Sequence, residues 1–73
     1  MTALEHCQQR LNAARGGVVA IFVIDGKVFC TAPSAKRYQA ALRDWPGSLM
    51  GHYTSAVDAR WLAEDLAFMG VNN

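Results

Sequence analysis

The sequence predicts an α+β fold in the order α-β-β-α-α: an antiparallel hairpin with helices packed on one face. Three observations carry this. Asp25-Gly26 separates two strand-like runs, and a two-residue Asp-Gly between such runs signals a tight hairpin. Apolar residues recur at helical spacing on both sides of that hairpin. Thr2-Ala3-Leu4-Glu5 and Ser55-Ala56-Val57-Asp58 each have a hydroxyl followed three residues later by a carboxylate, as at helix starts. The 73 residues suit a single domain spanning 1–73.

The first helix is expected over residues 3–15. Leu4, Cys7, Leu11 and Ala14 share one face, and Gly16-Gly17 provides the exit. Strands follow at 18–24 and 27–32. A type I′ turn at Asp25-Gly26 sets Ile24 opposite Lys27, Val23 opposite Val28, Phe22 opposite Phe29 and Ile21 opposite Cys30. Alternation then separates two faces. Val19, Ile21, Val23, Val28, Cys30 and Ala32 form a wholly apolar face, which predicts the core. Val18, Ala20, Phe22, Ile24, Lys27, Phe29 and Thr31 form a second face, too greasy for water and polar at its end.

A second helix is expected over 34–45, capped by Ser34. Ala35, Tyr38, Ala41, Leu42 and Trp45 form its buried stripe, and Pro46-Gly47 ends it. Residues 46–54 read as a loop, with a short third strand as the alternative. The last helix is expected over 55–69. At about 100° per residue, its apolar residues fall into two stripes: Val57, Trp61 and Phe68, then Leu62, Leu66 and Met69. Asp58 and Asp65 lie between them. A short surface helix normally has one apolar stripe. One stripe therefore packs on the hairpin, and the other either meets a partner or is wrapped by the domain.

Composition removes several function classes. Seven Lys+Arg against six Asp+Glu leave a net charge of +1, too balanced for a generic nucleic-acid binder. The longest apolar run, Val18 to Ile24, falls well short of the roughly 20 residues of a membrane span. The N-terminus lacks a basic stretch followed by an apolar one. These features predict a cytoplasmic protein without membrane association and with reduced thiols. Cys7 and Cys30 read as small buried hydrophobes that could touch. Two His and two Cys match no zinc spacing, so no metal is expected. No phosphate loop or nucleophile–base–carboxylate arrangement is present, so neither cofactor nor catalysis is expected.

The first functional expectation is a small non-enzymatic protein-binding regulator or inhibitor that acts by surface occlusion. Size and the lack of catalytic groups suit accessory proteins of mobile elements, such as inhibitors of host defence. Phe22, Phe29, Trp61 and Phe68 are the expected anchors, rimmed by Lys27, Asp58 and Asp65, because desolvated aromatics carry most interface energy. Tyr53 and His52 are secondary contact candidates, while Tyr38 and Trp45 are assigned to the core. A chain this small has a marginal core, so a homodimer is expected.

The alternative is a dimeric DNA-binding regulator. Lys27 to Ala32 alternates Lys, Phe and Thr with Val, Cys and Ala, and two helices follow. That order resembles the ribbon-helix-helix family, which implies that paired strands from two chains enter the major groove. Lys27 and Thr31 would then read bases. Lys36, Arg37 and Arg43 on the next helix are the candidate phosphate contacts.

Overall fold

The computed structural model describes residues 1–72. Three helices and three strands follow in the order α1 (Ala3–Ala13), β1 (Val19–Ile24), β2 (Lys27–Thr31), α2 (Lys36–Asp44), β3 (Leu49–Tyr53) and α3 (Ala59–Phe68). The class is the expected α+β. The order gains a strand, because residues 49–53 extend and pair with β1 rather than forming a loop.

Thr2 caps α1 through the predicted box: its hydroxyl accepts the Glu5 amide, and the Glu5 carboxylate accepts the Thr2 amide, each at 3.1 Å. These bonds hold the Glu5 carboxyl below its ordinary range. The helix ends two residues early, because Arg15 and Gly16 both take positive φ. The hairpin follows its predicted register, from Ile24 opposite Lys27 to Ala20 opposite Thr31. Asp25 and Gly26 have φ of 52° and 76°, the left-handed pair that a type I′ turn requires.

The other two helices start later than expected. Pro33-Ser34 forms a turn in which the Ala35 amide bonds to the Ala32 carbonyl. Ala35 then precedes α2 with no side-chain cap, so Ser34 is not the cap. Thr54 similarly absorbs Ser55 and Ala56 into a turn: its hydroxyl accepts from Ala56 and its carbonyl from Val57. Asp58, not Ser55, caps α3, accepting the Arg60 amide at 2.8 Å.

The sheet order is β2-β1-β3, antiparallel throughout. Strand β1 is therefore central. The β1–β3 register breaks between Ile21, which faces Gly51, and Phe22, which faces Leu49. Met50 is the extra residue of this bulge. Leu49 thus joins the Phe22 face, while Met50 and Tyr53 join the Ile21 face. A bulge re-aims side chains in this way.

Helices cover both faces, not one. Cys7 and Leu11 of α1 and Leu62 and Leu66 of α3 pack with Val19, Ile21, Cys30 and Val71. Across the sheet, Ala41 of α2 packs with Ala20 and Phe22, flanked by Ile24, Phe29, Tyr38 and Leu49. The greasy second face is thereby sealed. Thr31 on this face is buried as well and donates its hydroxyl to the Ala32 carbonyl at 3.3 Å, while Lys27 and Val18 at its ends stay exposed. Among the described residues, no helix is long and apolar enough to cross a membrane.

Candidate functional site

Phe22 is fully buried and is not a surface anchor. The reason is α2, which lies over it. Its ring meets Phe29 at 5.9 Å and the Tyr38 ring edge-on at 5.7 Å between centroids. Phe29 is half-buried in the same cluster and carries the Arg37 guanidinium 4.9 Å from its centroid. It packs within the fold and does not project outward. Lys27 is exposed beside the hairpin turn.

The nucleic-acid candidates fare unevenly. Thr31, 2% exposed, cannot reach a base. Arg37 is occupied by Phe29, and Arg43 pairs with Asp44 at 3.1 Å. Lys36 is exposed on α2. The face that would enter a groove is the face α2 covers.

The two stripes of α3 separate except at Val57, which precedes the helix and packs against the same core as Leu62 and Leu66. Leu62 and Leu66 are fully buried, whereas Trp61 is 70% and Phe68 91% exposed. Trp61 and Phe68 stand seven residues apart, so two turns put them on one face about 10 Å apart along the axis. Glu64 and Asp65 lie between them at helix-neighbour spacing. Asp58 stands at the start of the helix and pairs loosely with Arg60 at 3.7 Å. Of the predicted anchors and rim, the structure thus brings together Trp61, Phe68 and Asp65 along one helix. Asp58 lies at that helix's N-terminus. Phe22 and Phe29 lie across the sheet from them.

Asp65 has a second partner. The Tyr53 hydroxyl donates to its carboxylate at 2.6 Å. Gly51 lies under the Tyr53 ring. A Cβ there would stand 3.2 Å from the Tyr53 ring, so glycine leaves the ring room to fold over the strand toward α3. Burial, and then the Asp65 carboxylate, push the Tyr53 phenol well above its ordinary value near 10. A raised folded value means that the protonated phenol's contribution is complete below the unfolded value and is lost as pH rises above it. We expect stability to fall above about pH 10, and Tyr53→Phe to flatten that alkaline limb. Denaturant unfolding of both proteins between pH 8 and 11 checks this; identical slopes would remove Tyr53 as a contributor.

On the other face, the Tyr38 hydroxyl and His52 Nε2 lie 2.9 Å apart, joining α2 to β3. Both side chains hold the fold together at its surface. Trp45 and Leu42, assigned by periodicity to the core, are 47% and 37% exposed. The nine-residue α2 is anchored through Tyr38 and Ala41, and Trp45 lies beyond its end. A continuous stripe across 35–45 overstated what so short a helix can bury.

Among the described residues, no three His, Cys, Asp or Glu side chains gather as a metal-binding group. No protein-family model matches this chain, and neither a curated protein nor a solved structure is significantly similar to it.

Proposed function

We propose that the protein is a small non-enzymatic binding module that acts by occupying a partner protein's surface through the outer face of α3. The observation that carries this reading is the pair Trp61 and Phe68, exposed on a helix whose opposite side is already packed. Leaving two large aromatic rings in water gains nothing for the fold, and such residues are typical interface anchors.

The partner's chemistry follows from the face. Two exposed rings offer at most about 300–500 Å² at 150–250 Å² per aromatic side chain. A stable interface buries about 800 Å² on each side. A flat, symmetric pairing of this ridge with itself falls short, and it would bring Glu64 and Asp65 against their own copies. A concave apolar groove rimmed by Lys and Arg would bury both rings and neutralise the carboxylates, as in helix-in-groove recognition. An accessory protein that inhibits by occlusion fits this description and the size of the chain.

The test is parallel capture on immobilised wild-type protein and the Trp61→Ala/Phe68→Ala double variant, with light scattering of each. The expected outcome is a monomer near 8.0 kDa that retains a partner the double variant loses. Each ring should be worth about 2 kcal/mol or more of affinity, with folding stability changed by less than about 1 kcal/mol. The same retained proteins on both columns would overturn the reading. So would a wild-type dimer that the double substitution dissolves, since the face would then be a self-association seam.

A further inference from the structure

Asp65 stands between the two exposed rings of α3. Trp61, Asp65 and Phe68 follow the i, i+4, i+7 spacing of one helix face, and neighbours at such spacing stand about 5–6 Å apart at Cβ. Tyr53 fixes the Asp65 carboxylate by donating to Oδ2 at 2.6 Å. The other oxygen, Oδ1, has no partner among the described residues and is not sealed from solvent. Neither Trp61 nor Phe68 has a ring or cation against it among those residues. The helix's own cation, Arg60, pairs with Asp58 at 3.7 Å. At about 100° per residue it projects roughly 140° around the helix from Asp65.

We propose that Trp61, Asp65 and Phe68 form a recognition site for an arginine side chain, which on the reading of this face as an interface belongs to the partner protein. A guanidinium is planar and weakly hydrated. It can lie on the Trp61 ring while its edge N–H groups donate to Asp65 Oδ1. A lysine ammonium has no flat face to stack and gives up its water less readily.

The surroundings single out Asp65. On docking, the rings on either side exclude water from the ion pair, and a shielded charge-assisted hydrogen bond is stronger than an exposed one. Tyr53 has already oriented the acceptor, so little freedom is lost when the arginine arrives. Glu64 lies beside the same rings, but it is exposed and has no partner among the described residues. An untethered surface carboxylate contributes little.

The probe is the peptide N-acetyl-Ala-Arg-Ala-amide, titrated into isotope-labelled protein and followed by NMR. The expected result is a saturable shift of the Trp61 indole N–H and of the α3 amides. The lysine counterpart should need about ten-fold more peptide. The citrulline counterpart, which keeps the shape without the charge, should give no localised shift. Asp65→Asn leaves an oxygen for the Tyr53 hydroxyl, so the fold should be kept while arginine binding weakens by about ten-fold. An equal response to the lysine or citrulline peptide, or an Asp65→Asn protein that binds as the wild type does, would overturn the proposal. So would a captured partner that Asp65→Asn retains at the same salt, although the α3 interface itself would then stand. Peptide binding by a protein that captures no partner would uphold the arginine site and count against the interface.

Discussion

Phe22→Ala is expected to destabilise the protein by about 3–5 kcal/mol, the range for emptying a buried Phe site. Phe22 has no exposed surface and sits on the central strand. Its ring contacts Phe29 on β2 and Tyr38 on α2, so its removal opens a cavity where three elements meet. The second core is small: its fully enclosed members are Ala20, Phe22 and Ala41. Neither alanine can move to fill the space. For a domain of this size the loss corresponds to a fall in melting temperature of about 15 °C or more. Chemical unfolding followed by far-ultraviolet circular dichroism measures it. Hydrogen exchange locates it, since amides of residues 36–44 should open more than those of 3–13. A loss below about 1 kcal/mol would mean that α2 does not cover this face in solution.

Ile21→Ala is expected to cost about 2–5 kcal/mol from the other side of the same strand. Ile21 is fully buried, pairs with Cys30 and Gly51 on its two flanks, and lies under α1 and α3. The cavity would be lined by Cys7, Leu11, Leu62 and Leu66 side chains held by two separate helices. Exchange should now quicken in 3–13 and 59–68 more than in 36–44. The two variants together test the layering: each should loosen its own helices first. If Ile21→Ala and Phe22→Ala gave the same exchange pattern, the two cores would be one cooperative unit without distinct sides.

Parts of this structure are legible in the sequence because local chemistry dictates them. Asp25-Gly26 sets the hairpin register residue by residue, since only one turn geometry suits that pair. Thr2 and Glu5 set the start of α1. The split of α3 into a packed and an exposed stripe follows from its periodicity and from carboxylates placed between. Strand β3 was harder to see. Gly51 and the bulge at Met50 interrupt its alternation, and its pairing depends on β1, some thirty residues away in sequence. That one uncertainty had consequences for the candidate site. Without β3, the Phe22 face looks like an unfinished sheet that needs a partner. With β3 in place and α2 above it, the same residues become a core, and Phe22 and Phe29 leave the list of outward anchors. Trp61 and Phe68 stay on it because they project from the side of α3 away from Leu62 and Leu66.

The position of α2 reflects handedness as much as hydrophobicity. Strands β2 and β3 each run antiparallel to β1, and so run parallel to one another with β1 between them. The chain passes from one to the other through α2, which makes β2-α2-β3 a crossover unit. Such connections are right-handed in about 98% of cases. The direction of the strands therefore selects which side of the sheet the connecting helix spans, before any side chain is consulted. Making the Ile21 side greasier would not draw α2 across. Polar substitutions at Ala20 or Phe22 would leave the helix above a surface it cannot pack on.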